Sequence, residues 1–426
     1  MMSRCLNLGV NDTMNPTLWT RNFILLTLAN LFLFLSLEMM LPTLPVFAEQ
    51  QGANETQVGL VLSFFAFAAV LSRPFAGAAA GTRMSRKLLL AIAVAICLIG
   101  TGSYFLATSI LAIMLLRIVH GIGFGAATTL YGTAVSDVIP ASRRGEGMGY
   151  FATGNAVAIS LGPFIGIWLM ESYSFTALFG VGAGVLLMAI IFTLFVSEKK
   201  PVTASSRAAQ QAKTDKESEK GQSGPAASVR RLRLSDVVER KALFPSALGL
   251  LAGLSLSGIV SFISLFGKEA GVKNIGIFFL VLAVSEFLIR FISGPLFDRK
   301  GRSWVLIPSA FSCIIGVLLL SITDSTGMLL LAAVFYGMGF GAAFPALQAW
   351  VINLVESHRR GAATATFYNA FDIGIGSGAI LLGYIASLTN YSTMYLASAV
   401  FYVIYLVIYI PYDRRQSKKT HAHSTE

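Results

Sequence analysis

Charge is what this chain has least of. Only 12% of its 426 residues are Asp, Glu, Lys or Arg, against about a quarter in an ordinary soluble domain, so a water-facing globular class is excluded. Cysteine is sparse as well. Cys5, Cys97 and Cys313 form an odd, scattered set, which argues against a disulfide framework and against CxxC metal chemistry. No GxxxxGK[ST] phosphate loop is present, so nothing in the chain is expected to hydrolyse ATP. HExxH is absent too, and His120, His358, His421 and His423 are dispersed, so neither an enzyme nor a bound metal or other cofactor is expected. The net charge of +11 invites nucleic acid as a partner, but no basic patch is interleaved with aromatics as such binding needs.

What the chain has instead is apolar length. Hydrophobic residues make up 55%, and a mean hydropathy of +0.70 over this length implies many apolar segments rather than one large core. A helix needs about 20 predominantly apolar residues to cross a bilayer, and an open strand cannot satisfy its backbone there. Twelve candidate spans follow: 22–46, 57–80, 87–107, 109–138, 145–171 and 175–197, then 242–267, 274–297, 303–323, 327–355, 361–388 and 392–411. Span one is too long, and carries an acid, for a cleavable signal. Met14 is an alternative start.

With the N-terminus inside, 27 of the 32 Lys and Arg residues fall on the cytoplasmic side. Only Lys268 and Lys273 lie outside, and Arg73, Arg117 and Arg290 lie within spans. The positive-inside bias therefore predicts both termini in the cytoplasm, with segments 1–21 and 412–426 as cytoplasmic ends. Residues 198–241 are rich in Lys, Arg, Glu, Ser and Ala and read as a flexible cytoplasmic linker. The end of that linker could form a basic amphipathic helix on the lipid surface. It separates two six-span units, 22–197 and 242–411.

The two units repeat. "RIVHGIGFGAATTL" from Arg117 aligns with "AVFYGMGFGAAFPAL" 216 residues on, pairing Gly121, Gly123 and Gly125 with Gly337, Gly339 and Gly341. The same offset pairs Arg143-Arg144-Gly145 with Arg359-Arg360-Gly361. One residue of drift pairs Arg73 and Gly77 with Arg290 and Gly294. Ordered matches at one offset point to a duplicated six-helix unit.

This pattern resembles the major facilitator superfamily, whose halves are related by an axis along the membrane normal. Gly294-Pro295-Leu296-Phe297-Asp298-Arg299-Lys300-Gly301-Arg302-Ser303 is similar to the family's GxLxDRxGRR loop. The other copy, "GAAAGTRMSRK", keeps Arg83, Arg86 and Lys87 but has Gly81 or Thr82 where the acid belongs. Arg117 with "HGIGFG" resembles the RxxQGxGxA element of span four, with His120 in place of glutamine. "GNAVAISLGPFIG", Gly154 to Gly166, resembles the GPxxG element of span five in the drug:proton antiporter branch.

The resemblance implies an all-α membrane protein of twelve transmembrane helices arranged as two pseudo-symmetric six-helix bundles. It also implies a secondary transporter, most readily a proton-coupled exporter of small amphipathic or cationic molecules, acting as a monomer in a bacterial plasma membrane. A dedicated exporter of one endogenous metabolite, such as a metal-chelating compound, is the alternative, and an importer a more distant one. The expected partners are a small-molecule substrate, protons and the lipid bilayer.

Physical readings of the residues stand beside this. Gly294 would let a neighbouring backbone approach span eight. Asp298 would face the positive N-terminus of span five near Ser142 to Gly145, and the bases after it would meet lipid phosphates. Glu38, Arg73, Arg117, Glu286, Arg290 and Asp372 each oppose insertion by about 2.5–3.5 kcal/mol at a helix centre. Arg73 and Arg290 can snorkel to the cytoplasmic end.

Glu38 and Arg117 each lie eight residues inside the outer end of their span, on helices that the resemblance places around a central cavity, so a pair is expected. Glu286 has Arg290 at i+4, which leaves a structural and a functional reading equally open. Asp372 has no such partner on its helix; with Glu38 it has the stronger claim to carry the proton. Gly121/Gly125 and Gly162/Gly166 have GxxxG spacing, for which helix packing is the default, and Pro163 allows a bend in span five.

Overall fold

The computed structural model describes residues 17–80, 84–140, 143–197, 239–272, 275–356 and 359–423. The linker's basic stretch, Arg83, Ser142, Lys273 and His358 lie outside the described residues. Among those described there is no strand, and twelve helices are long and apolar enough to cross a membrane. Spans one to six are Arg21–Gln50, Glu55–Ala80, Arg86–Leu106, Ile110–Val138, Glu146–Ser172 and Phe175–Leu194. Spans seven to twelve are Arg240–Glu269, Gly276–Lys300, Ser303–Ser321, Thr326–Asn353, Arg360–Leu388 and Tyr391–Gln416.

Local chemistry sets several of the starts. Thr20, Ser85, Ser109 and Ser174 each precede a span, and each side-chain oxygen accepts from a backbone N–H in the first turn. Such caps satisfy donors that a helix start otherwise leaves open. Gly301 ends span eight with φ +89° while its N–H bonds the Phe297 carbonyl; a side chain would be strained there.

Two ends depart from the expected boundaries. Span one does not finish at 46. Its helix breaks after Met40, near Pro42, and resumes over Leu44–Gln50, because proline removes a backbone donor and clashes with the preceding turn. Span twelve does not finish at 411 either; its helix runs on to His423, so most of the expected tail is helical.

The duplication is built into the packing. At Gly121 and Gly125 an added Cβ would collide with the backbone of Phe65 and Ala69 in span two, and at Gly337 and Gly341 with Leu282 and Glu286 in span eight. Span four thus sits on span two as span ten sits on span eight. Likewise Gly162 and Gly166 meet Glu38 and Met39 of span one, and Gly378 meets Leu254 of span seven. With only hydrogen at these positions the helix axes come close enough for backbone-to-backbone contact. Gly154 makes ordinary contact with Thr27, and Pro163 lies inside a continuous helix.

An even number of crossings returns the chain to the face it left. Both described termini therefore share one face, here called the basic face for its Lys and Arg. Toward the opposite face the halves are tightly joined. Thr56 and Ser387 hydroxyls are 3.0 Å apart, and Lys268 Nζ is 2.7 Å from Glu49 Oε2. Gly59 abuts the Ala379 carbonyl, and Gly276 contacts Phe164 and Ile167. Deeper, Ser63 donates to the Gly376 carbonyl at 2.5 Å.

Toward the basic face this changes: a Cβ at Gly77, Gly149 or Gly294 would meet nothing within 4 Å. The expected backbone approach at Gly294 is absent in this state, and Asp298 is exposed. Contacts between the halves gather at the face opposite the basic one, and the basic face is taken as the open one.

A disulfide across the closed face tests this geometry. Thr56→Cys with Ser387→Cys is expected to cross-link readily under mild oxidation and to stop transport until reduced. Transport at the parent rate with the bridge intact would show that this face does not open.

Candidate functional site

Glu38, Arg73, Arg117, Glu286, Arg290 and Asp372 are the charged residues expected inside the apolar runs, and the structure pairs them differently from the expectation. Glu38 stands twelve residues from the far end of span one at Gln50, ~18 Å along the helix. Arg117 is only seven residues into span four, ~10 Å. The two are therefore not level, and no Glu38–Arg117 pair forms.

Arg117 is instead sealed inside the N-terminal bundle with no exposed surface. Its Nε donates to the Val61 carbonyl at 3.2 Å, and its guanidinium lies 4.2 Å over the Phe65 ring. Tyr104 is close enough to interact with its charge. A desolvated cation over an aromatic face gains about 2 kcal/mol, yet Nη1 and Nη2 find no hydrogen-bond acceptor. His120 is buried next to it, with Nδ1 3.4 Å from the Tyr104 hydroxyl and its ring edge-on to Phe65. Both are buried among side chains of spans two, three and four, whereas the expectation placed them in the cavity.

Glu286, rather than Arg117, is the ionisable side chain whose charge acts on Glu38. Glu286 lies ten residues into span eight, ~15 Å deep, and is close enough to Glu38 for their charges to act on one another. Both are about nine-tenths buried. Glu38 is held against span five by Gly162, and Glu286 against span ten by Gly341. Arg290 is only a loose partner, with Nη2 3.8 Å from Glu286 Oε2 and nearly half of its side chain exposed.

Asp372 is not the unpartnered acid expected. Arg73, one half's span-two arginine, does not snorkel away but bridges to Asp372 on span eleven, and its Nη1 donates to Asn369 Oδ1 at 2.8 Å. An arginine is long enough to reach several ångströms up from its own level, which the snorkelling reading used in the wrong direction. Tyr368 and Gln348 bond at 2.5 Å beside this pair, and Phe344 and Phe371, ring centroids 4.8 Å apart, form an aromatic wall above it. Of the contacts between the halves described above, the one made by Arg73 with Asp372 and Asn369 lies nearest the basic face.

Two of the loop arginines, Arg86 and Arg302, are anchored inside their own halves. Arg86 pairs with Asp137 of span four. Arg302, its counterpart 216 residues on, lies 4.3 Å over Trp350 and reaches Asp413 at 3.4 Å. Arg299 is exposed. Asp137 and Asp413 went unnoticed in the sequence because each sits at a helix end, where an acid looks like ordinary surface. The duplication gave no signal either, since the offset pairs Asp137 with Asn353 and Asp413 with Ser197.

Twelve apolar helices in two six-helix bundles with a repeated packing scheme, and buried acids contributed by both halves, suit a membrane transporter. The family model for the Major Facilitator Superfamily matches residues 26–299 and again 246–425, so the chain belongs to the major facilitator superfamily. The multidrug resistance protein MdtG of Escherichia coli is 25% identical over 91% of this chain and 93% of its own. The staphylopine export protein of Staphylococcus aureus is 22% identical, covering 86% and 89%. The crystal structure of the nucleoside transporter NupG superposes with a TM-score of 0.69 at 18% identity, over 92% of this chain and 99% of that one. That last likeness is one of fold alone.

The Arg73–Asp372 bridge has a thermodynamic signature. Removing one partner strands a partly buried charge, so Arg73→Gln or Asp372→Asn alone is expected to cost about 1.5–3 kcal/mol and to lower the melting temperature of the purified protein. The double variant should recover most of that loss. Single variants that melt with the parent would show that the bridge carries no weight.

Proposed function

We propose that this transporter is a proton-coupled exporter of small amphipathic, cationic molecules, with Glu38 and Glu286 as the proton-carrying acids. The carrying observation is that two buried acids, one from each half, lie within electrostatic range of one another. Two nearby carboxylates repel when both are charged, so protonation favours the state that brings them within range. The basic face is taken as cytoplasmic on the positive-inside bias.

Protons bound from outside then draw the molecule into its cytoplasm-open form, and their release there accompanies capture of cargo. That sequence drives cargo outward. Each charge moved down the membrane potential is worth about 2.3 kcal/mol per 100 mV. The aromatic wall around Phe344, Phe371 and Tyr368 suits a cationic, flat solute, and the likeness to a multidrug resistance protein supports the same class. Asp298, exposed here, is available to latch the basic face in the opposite state.

The likeness to a staphylopine export protein supports a second reading, a dedicated exporter of one endogenous metal-chelating compound. Everted membrane vesicles with an acidified interior separate the possibilities. The parent is expected to concentrate ethidium, whereas Glu38→Gln and Glu286→Gln should lose the response to the pH gradient yet keep downhill ethidium exchange. If both variants still concentrate ethidium, these acids do not couple the cycle. A parent that moves no lipophilic cation, but whose loss alters cellular metal content, selects the second reading.

A further inference from the structure

The C-terminal bundle contains more buried hydroxyl than packing requires. Along span twelve, Tyr395, Ser398, Tyr402, Tyr405 and Tyr409 recur at alternating intervals of three and four, and all are fully buried. They occupy one face of the helix, turned into its own bundle. Ring centroids step from Tyr336 of span ten to Tyr402 at 6.3 Å, to Tyr405 at 6.1 Å and to Tyr409 at 6.1 Å.

The hydroxyls of Tyr336, Tyr402 and Tyr405 and of Ser255 make no protein hydrogen bond of good geometry, although Tyr336 neighbours Tyr402 and Ser255, and Tyr402 neighbours Cys313. An orphaned buried hydroxyl costs about 1–3 kcal/mol, and phenylalanine would fill the same space without that cost. Buried groups of this kind are satisfied by ordered water bridging several polar atoms.

Both ends of this row meet acids. At the upper end Glu286 is close enough to act electrostatically on Tyr336 and on Cys313 of span nine. At the lower end the Tyr409 hydroxyl is 2.9 Å from that of Ser303 and 3.5 Å from Asp413 Oδ1. Asp413 is partly exposed at the basic face and is held by Arg302. Eleven residues separate Tyr402 from Asp413, ~16 Å of helix, the depth from mid-membrane to surface.

The duplicated half supplies an internal comparison. By the 216-residue offset, Tyr402, Tyr405 and Tyr409 correspond to Leu186, Ala189 and Thr193, and Tyr336 to His120. Under the one-residue drift, Glu286 corresponds to Ala69. The hydroxyl row therefore occurs in the half whose span carries the acid and not in the other.

We propose that this row is a proton track, separate from the cavity between the halves, running from Glu286 past Tyr336, Tyr402, Tyr405 and Tyr409 to Asp413. The Glu286 O–H breaks and its proton passes to the first water or hydroxyl. Each oxygen along the row accepts one proton and passes on another, until Asp413 hands one to bulk water. The row itself is unchanged, and the net event is one proton moved from Glu286 to the basic face. Besides the row, the ionisable groups facing Glu286 are Glu38 of span one, Cys313 of span nine and Arg290 on its own helix. The track lets the acid lose its proton while cargo fills the cavity. This inference rests on the proton-coupled reading.

The full chain in proteoliposomes, followed by time-resolved infrared spectroscopy after a pH jump, tests it. The Glu286 carboxyl band is assigned by its loss in Glu286→Gln. Tyr402→Phe with Tyr405→Phe keeps the rings and removes only orphaned hydroxyls. The double variant is expected to slow Glu286 deprotonation about tenfold, less than the usual contribution of a positioned proton-transfer group because water partly replaces a lost hydroxyl.

Tyr395→Phe, on the same face but beyond the track, should react at the parent rate, and downhill ethidium exchange should be unchanged in all three proteins. Should the double variant fail to assemble, each single variant is measured in its place and is expected to slow the same step. Deprotonation at the parent rate in the double variant, or in both single variants, overturns the track and leaves the coupling reading standing. A parent with no pH-responsive Glu286 band overturns both.

Discussion

Two buried carboxylates whose charges act on one another cannot both be charged cheaply. Glu38 and Glu286 are placed under that constraint by backbone packing rather than by flexible side chains. Gly162 presses span five onto Glu38, and Gly341 presses span ten onto Glu286. The duplication makes the placement legible: the positions equivalent to Glu38 and Glu286 in the opposite halves are Leu254 and Ala69, so each half contributes one acid to a frame that otherwise repeats. A proton on either acid relieves the repulsion, and moving the halves apart relieves it as well. On the proposed reading, proton binding and conformation are thereby linked through these two charges.

The remaining intramembrane charges divide into those that span the seam between the halves and those that hold one bundle. Of the described contacts between the halves, that of Arg73 with Asp372 lies nearest the basic face. Arg117 stays inside the N-terminal bundle, its charge facing Phe65 and the Val61 carbonyl. Arg86 with Asp137, and Arg302 with Asp413, tie loop bases to their own halves. This arrangement allows each half to move as a unit, since the pairs within a half need not break when the seam opens.

The twelve spans, the duplication and the family were legible because hydropathy and a fixed offset depend on many residues at once. The partners within the site were not, because pairing depends on where a helix ends and how far a side chain reaches. Taking span one to end at 46 instead of Gln50 shifted Glu38 by four residues, ~6 Å of helix, and made Arg117 look level with it. Counting Arg73 by its Cα put it at the surface, whereas its guanidinium reaches Asp372. The tyrosine face of span twelve was overlooked because tyrosine was counted as apolar, and hydropathy does not register a hydroxyl; its alternating three- and four-residue spacing was present in the sequence throughout.

The linkage between protonation and conformation is measured most directly by the distance across the open face. Spin labels at Gly149 of span five and Arg299 of span eight report the basic-face separation in the reconstituted protein. As pH falls, the widely separated population is expected to grow in the parent, and in the Glu38→Gln/Glu286→Gln double variant it should dominate at every pH. The same pH dependence in parent and double variant would contradict the claim that these two acids set the conformation.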